Sequence, residues 1–201
     1  MKSRKLLASI ALVAAASSAQ AGLISVTGGA DHIAPLNNNF VAGATYNIGG
    51  NVYADSDVHL TYTYLGYEAG YSNDFSAIGG SVLLNNKSNS VGDNDSGYAL
   101  AGLLDFEFTT YGTNPNVTIE NGSNLQIGAL QSFATMIDYT WSDGTGYDAV
   151  LFFDDSGAGP DDNHDDHIIG VTAVKVPEPG TLALFGLGLA GMGIATRKRQ
   201  A

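Results

Sequence analysis

The sequence has 201 residues, a net charge of −12, 26 glycines and no cysteine. The lack of cysteine excludes disulfide bonds, zinc–cysteine centres and cysteine-based catalysis. Residues 22–176 contain only two basic residues, Lys87 and Lys175, against nineteen acidic ones, a net charge of −17. Nucleic acid is therefore excluded as a partner, because phosphate contacts need lysine and arginine.

The first 21 residues predict a secretory signal peptide that forms an N-terminal signal helix. Lys2, Arg4 and Lys5 precede a short apolar run, and the segment closes on Ala19-Gln20-Ala21. A basic start, an apolar stretch too short to span a membrane comfortably and small residues before the cut are typical of such peptides. We therefore expect cleavage after Ala21 and export by the secretion machinery.

Residues 22–176 predict one all-β domain, an antiparallel, jelly-roll-like β-sandwich. Short β-rich runs alternate with Gly, Asn and Asp turns, as in sandwiches and barrels. The clearest strand covers residues 58–65, where Val58, Leu60, Tyr62 and Tyr64 fall on one face. Further strands are expected at residues 23–26, 40–48, 52–53, 81–84, 98–110, 116–120, 133–141, 147–153 and 168–174. Turns or loops are expected at residues 28–29, 31–39, 49–51, 68–80 and 85–97.

One segment between two expected strands concentrates candidate metal ligands. Residues 154–166 contain six aspartates and Asn163, and carboxylates this close repel each other unless a cation neutralises them. Oxygen ligands at i, i+2 and i+4 suit Ca²⁺, and Asp161, Asn163 and Asp165 have that spacing. The segment is no EF-hand, because Asp166 and Thr172 stand where that loop has Gly and Glu. The predicted Ca²⁺ ligands are Asp154, Asp155, Asp161, Asn163, Asp165 and Asp166.

Two other interpretations of this segment stay open. A merely solvated acidic turn would need no metal. His164 and His167 would suit a transition metal, although their i, i+3 spacing on a loop is weak support. A second acidic turn at residues 93–97 is better explained as an Asx-rich loop.

The tail has three parts in a fixed order. Pro177-Glu178-Pro179 is followed by an uncharged run at residues 181–196 and by Arg197-Lys198-Arg199. Sixteen helical residues span about 24 Å, short of a hydrocarbon core of about 30 Å. The basic end would stay cytoplasmic under the positive-inside rule. We predict a hinge and a C-terminal transmembrane helix weakened by glycines, suited to transient rather than permanent anchoring.

The Pro-Glu-Pro triplet, the apolar Gly/Leu helix and the basic end resemble the PEP-CTERM sorting signal over residues 177–199, within a sorting tail expected at residues 177–201. The resemblance implies export, transient retention in the inner membrane, recognition by an exosortase and final location at the cell surface or in the matrix. It also implies a bacterium that makes extracellular polysaccharide. The acidic loop at residues 153–166 is more loosely similar to loops that precede such tails.

The expected function is that of a non-enzymatic surface or matrix protein, stabilised by Ca²⁺ and associated with exopolysaccharide in a biofilm. A lectin-like carbohydrate-binding module is the alternative and would need exposed aromatic rings. A secreted polysaccharide hydrolase is a weaker one, because no carboxylate pair stands out from the acidic background. No catalytic residue is predicted.

Overall fold

The computed structural model describes residues 22–113, 115–124, 131–155 and 163–177. These residues form twelve β-strands and no helix. The strands are β1 (Ile24–Ile33), β2 (Thr45–Ala54), β3 (Val58–Gly66), β4 (Ser72–Ala77), β5 (Val82–Asn85), β6 (Asn94–Ala99), β7 (Gly102–Leu103), β8 (Phe106–Tyr111), β9 (Val117–Glu120), β10 (Ser132–Thr140), β11 (Gly146–Asp154) and β12 (His167–Lys175).

The strands form two antiparallel sheets. The large sheet has the order β1-β2-β10-β11-β12-β3-β6, and β7 pairs with β2 beside it. The small sheet has the order β5-β4-β8-β9. The all-β, antiparallel part of the sequence prediction is confirmed. The two flanking helices that it placed at the chain ends lie outside the described residues.

The main hydrophobic core joins the two sheets. Alternate side chains of β3, from Val58 to Tyr64, are buried as the period of two predicts. Phe108 of the small sheet stacks on Phe153 of the large sheet, with ring centroids 4.7 Å apart. Burial of one such ring contributes about 1.5–3 kcal/mol. The aromatic residues of this core therefore set how the ends of β8, β11 and β12 lie together.

A second buried cluster includes Val150 and Phe152, which alternate along β11 with Ala149, Leu151 and Phe153 of the main core. It therefore covers the opposite face of the large sheet. The loop between β1 and β2 supplies its cover, where Ala34 and Val41 are buried. Phe40 stacks on Trp141 at 5.9 Å. Docking of this loop carries Asn38 and Asn39 to the acidic segment.

Two glycine pairs that the sequence predicts as stops lie inside strands. β1 runs through Gly28-Gly29 and on to Ile33, and β2 runs through Gly49-Gly50. Gly28, Gly29 and Gly49 have φ values of 78°, 66° and 78°. A Cβ on Gly29 would lie 2.4 Å from the Gly50 nitrogen. Glycine therefore serves here for close backbone approach and local irregularity within the ladder, not for chain reversal.

Two strands lie where the sequence predicts loops. β4 falls within residues 68–80, and β6 begins within residues 85–97. β4 is polar in composition, yet Asn73, Phe75 and Ala77 alternate toward the interior. β6 is an exposed edge strand paired with β3. Tertiary pairing overrides weak intrinsic strand propensity in both segments.

Candidate functional site

The acidic segment occupies the end where β11 finishes and β12 begins. Phe153 and His167 are paired across these strands. The Asp166 N–H donates to the Phe153 carbonyl at 3.0 Å, which continues the pairing past the strand ends. His164 has a φ of 55°, a left-handed conformation that turns the chain back toward β12. The aromatic core thus fixes both stems of the acidic segment.

Five of the six predicted ligands are buried in the structure, and Asp161 lies outside the described residues. The exposed fractions are 1% for Asp154, 3% for Asp155, 2% for Asn163, 0% for Asp165 and 4% for Asp166. Such burial is rare for aspartate unless the charge is paired or coordinates a metal. The simple solvated-turn interpretation does not account for this burial.

Backbone and amide donors from distant parts of the chain hold these aspartates. The Asn39 N–H donates to Asp165 Oδ2 at 2.7 Å. Asn73 Nδ2 donates to Asp155 Oδ2 at 2.7 Å. The Asp155 N–H donates to Asp166 Oδ2 at 2.8 Å. These contacts join the loop before β2, the start of β4 and both stems of the acidic segment.

Amide groups also bind the backbone of the segment. Asn38 Nδ2 donates to the Asn163 carbonyl at 2.6 Å, and Asn86 Nδ2 donates to the Asp166 carbonyl at 3.3 Å. Gln131 Nε2 donates to the Asp155 carbonyl at 3.1 Å. The sequence alone carries no signal for the role of these amides, because their partners are 24 to 125 residues away along the chain.

Three carboxylates converge closely enough to share one cation. One oxygen each of Glu68, Asp165 and Asp166 lies within 4.8 Å of the others. The Glu68 N–H donates to the Asp165 carbonyl at 2.9 Å, so the backbone sets this approach. Glu68 is exposed, whereas the two aspartates are buried. The sequence gives no sign of Glu68 as a ligand, because Glu68 lies in a segment with only turn signals.

Buried negative charge dominates the electrostatics of this end. Burial raises the pKa of Asp166, the hydrogen bond from the Asp155 N–H lowers it, and the nearby charges of Asp155, Asp154 and Asp165 raise it, which together give a pKa of about 8. A proton or a cation must therefore compensate the cluster at neutral pH.

The two lysines between residues 22 and 176 are engaged elsewhere. Lys87 Nζ donates to the Ala69 carbonyl and lies 4.2 Å from the centre of the Tyr67 ring. Lys175 pairs with Val58 at the far end of β12 and is exposed.

The two histidines pack against different core clusters. His167 is fully buried, and its ring meets those of Tyr64 and Phe108 at 5.3 and 5.7 Å. Burial lowers its pKa to about 3, which keeps the ring neutral. His164 Nε2 hydrogen-bonds Ser132 Oγ at 2.8 Å, and its ring lies 5.5 Å from that of Tyr46. Because the two rings pack in different clusters, their placement gives no support to a metal site shared by His164 and His167.

Most of the predicted sorting residues lie outside the described part of the chain. Pro177 is exposed, and Ala21, Glu178, Pro179, Arg197, Lys198 and Arg199 lie outside the described residues, as does the expected membrane helix at residues 181–196. The part of the chain that the structure describes contains no apolar helix of membrane-spanning length.

The comparisons with known proteins identify the tail. No curated protein and no solved structure matches the chain. Residues 175–200 match the PEP-CTERM protein-sorting motif. The chain is therefore a protein with a PEP-CTERM sorting motif, a signal that marks exported proteins sorted by an exosortase.

Proposed function

We propose that the chain is a non-enzymatic protein of the cell surface or extracellular matrix, built on a β-sandwich whose acidic end binds Ca²⁺. Export through the PEP-CTERM route gives the location. Association of the domain with exopolysaccharide, after transient anchoring in the inner membrane, completes the proposal.

The observation that carries the metal part is the burial of four aspartates, Asp154, Asp155, Asp165 and Asp166, at exposures of 4% or less. Burial of several neighbouring carboxylates in their charged form is costly, and a bound cation would offset that cost. Hard oxygen donors favour Ca²⁺ over softer metals. Glu68 joins Asp165 and Asp166 around one point, which gives the cation three carboxylates.

Calorimetry of the full-length protein tests the metal part. A ligand that binds only the folded state at 100 times its Kd stabilises that state by about 2.7 kcal/mol. We expect Ca²⁺ to raise the melting temperature by about 5 °C or more over EDTA-treated protein. Mg²⁺ at the same concentration should act more weakly, because its small octahedral shell fits poorly to a cluster of carboxylates. An unchanged melting temperature would remove the calcium proposal.

Matched variants locate the effect. Glu68→Gln keeps the shape of the side chain and removes one carboxylate of the converging set, so it should weaken the response to Ca²⁺ about tenfold in midpoint concentration. Asp95→Asn, on the exposed strand β6, should leave the midpoint unchanged. Equal responses from both variants would place the metal away from Glu68.

Replacement of Pro177-Glu178-Pro179 by alanines tests the sorting part. The variant should accumulate in the inner membrane, because the exosortase would lack its recognition sequence while the signal peptide and apolar tail stay intact. Cell fractionation measures the distribution, and an Asn94→Ala variant serves as the control. Normal arrival of the triple-alanine variant at the surface would contradict the proposed processing route.

A further inference from the structure

Three exposed tyrosines lie beside the acidic end, on the small-sheet side of the molecule. Tyr67 and Tyr71 precede β4, and Tyr111 ends β8, with exposed fractions of 42%, 42% and 41%. Ser72, the neighbour of Tyr71, pairs with Tyr111 across the two strands. These three half-exposed tyrosines give this side of the molecule apolar rings that solvent can reach.

Close backbone contact holds the ring of Tyr71. A Cβ on Gly112 would lie 3.1 Å from Tyr71 Cδ1, so the ring lies directly over this glycine. Gly112 has a φ of 102°, a conformation that side-chain-bearing residues rarely adopt. The turn that follows Tyr111 is therefore built to let the Tyr71 ring approach it.

The rest of the tyrosine segment is fixed from behind. Lys87 lies against the Tyr67 ring and donates to the Ala69 carbonyl. Asn86 Nδ2 donates to the Tyr71 carbonyl at 3.2 Å. The rings are thus held before any ligand arrives, which lowers the entropic cost of binding.

Hydrogen-bonding groups border the rings. The Asp74 carboxylate interacts with the Tyr111 hydroxyl and raises its pKa above the ordinary value. Asn85 Nδ2 donates to Asp74 Oδ1 at 2.6 Å and to Ser72 Oγ at 3.0 Å. Flat apolar rings next to carboxylate, amide and hydroxyl groups match the C–H faces and hydroxyl groups of a sugar.

We propose that Tyr67, Tyr71 and Tyr111 form a binding surface for a neutral saccharide chain. The inference extends the proposed function, because it rests on export to a place where such chains occur. The net charge of −17 on residues 22–176 disfavours an anionic polymer. The large exposed aliphatic side chains Leu83, Leu100 and Leu103 belong to or adjoin other strands, β5, β6 and β7. The tyrosine surface therefore offers rings and polar groups rather than the aliphatic groove that an apolar peptide needs.

Titration calorimetry of the full-length protein tests the proposal with three neutral probes, cellohexaose, xylohexaose and mannohexaose. Oligogalacturonate of the same length is the anionic comparison. We expect at least one neutral probe to bind and the anionic probe to bind at least tenfold more weakly. Failure of all three neutral probes, or a preference for the anionic one, would overturn the proposal.

Variants connect binding to the rings. Tyr67→Ala and Tyr71→Ala should each weaken binding about tenfold, whereas Tyr67→Phe should keep it, because stacking needs the ring and not the hydroxyl. Tyr98→Ala is the matched control, since Tyr98 is a 71% exposed tyrosine on β6. Full binding by both Tyr67→Ala and Tyr71→Ala would overturn the proposal.

Two further measurements separate this inference from the calcium proposal. The melting temperature of each variant, measured in Ca²⁺, shows whether a loss of binding comes from unfolding. If a variant is unfolded at the titration temperature, Tyr67→Phe and Tyr67→Ala are compared at a lower temperature where both are folded. The titrations are repeated in EDTA at that temperature. Saccharide binding without a calcium response would leave the tyrosine surface standing alone, and a calcium response without saccharide binding would remove only the saccharide inference.

Discussion

Two acidic segments of similar composition have opposite environments. The first segment lies where β11 ends and β12 begins, and four of its aspartates are buried: Asp154, Asp155, Asp165 and Asp166. Asp93 and Asp95 lie at the start of the edge strand β6 and are exposed. Both segments combine aspartate with asparagine, serine and glycine. The sequence predicts a metal site in the first segment rather than the second only because the first has the higher density of carboxylates.

The difference comes from what packs over each segment. The loop before β2, the start of β4 and Asn86 all donate hydrogen bonds to the first segment. Local groups hold the Asp93 carboxylate in the second segment: Ser90 N–H and Asn89 Nδ2 both donate to Asp93 Oδ2, at 2.9 and 3.2 Å. A carboxylate acquires an unusual charge state only where distant parts of the chain exclude water from it. We therefore expect metal binding and pH effects near neutral pH at the first segment and neither at the second.

Asp165→Ala, compared with Asp95→Ala, should give the largest contrast. In Ca²⁺, Asp165→Ala removes a carboxylate from the converging set and the acceptor of the Asn39 N–H, and should cost about 3 kcal/mol of unfolding free energy. Asp95→Ala should change that free energy by less than about 0.5 kcal/mol. Urea denaturation at pH 7 measures both.

Repetition of the measurement with Asp165→Asn in EDTA gives the control. The amide can still accept from Asn39 but carries no charge, so it relieves repulsion among the buried aspartates. We expect stability equal to or above that of the unmodified protein in EDTA and below it in Ca²⁺. A loss of equal size in both solutions would mean that Asp165 is a structural acceptor and not a cation ligand.

The same contrast explains which parts of the structure the sequence could predict. Burial alternates along β3 with a period of two, and β3, β11 and β12 were predicted within one residue or two at each end. The density of aspartates pointed to the acidic segment. These signals are local, and they act through patterning and turn chemistry.

Features that depend on distant contacts could not be predicted in this way. Glu68 joins Asp165 across about a hundred residues, and Asn73 has the composition of a turn residue although it faces the core. Gly29 and Gly50 resemble turn glycines, but they permit two strands to approach each other. Their roles depend on which segment lies opposite, and a single sequence carries no direct signal of that.

A pH titration in EDTA should produce the second largest effect. Asp166 has a folded pKa of about 8, above its ordinary value, so the folded state retains a proton that the unfolded state has lost. Its contribution is present below pH 4 and disappears as the pH rises through about 8. His167, with a folded pKa of about 3, has the opposite sign: it stabilises above pH 6.5 and loses that contribution as the pH falls.

The two slopes oppose each other between about pH 4 and 6.5, and only that of Asp166 remains above this range. Metal-free protein should therefore lose at most about 2 kcal/mol of unfolding free energy between pH 6.5 and 8. Saturating Ca²⁺ should abolish this loss, because a bound cation favours the ionised carboxylate. A flat profile in EDTA would contradict the buried-charge description, and a profile that Ca²⁺ leaves unchanged would place the metal elsewhere.

Asp93→Asn should have the smallest effect, and it tests the other half of the comparison. Hydrogen bonds from the Ser90 N–H and the Asn89 amide lower the pKa of the exposed Asp93 carboxyl. An asparagine oxygen can accept from the same two donors, so the turn should keep its shape without the charge. The calcium midpoint should change less than twofold, and the melting temperature should stay within error of the unmodified protein at pH 7.

The exposed segment is linked to the acidic end through β3, because Asp93 O accepts from the Tyr64 N–H on the strand that leads toward Glu68. A weakened calcium response would mean that the exposed segment also contributes charge to the cation. Burial would then be insufficient to separate the two segments, and the field of the whole acidic surface would have to be included.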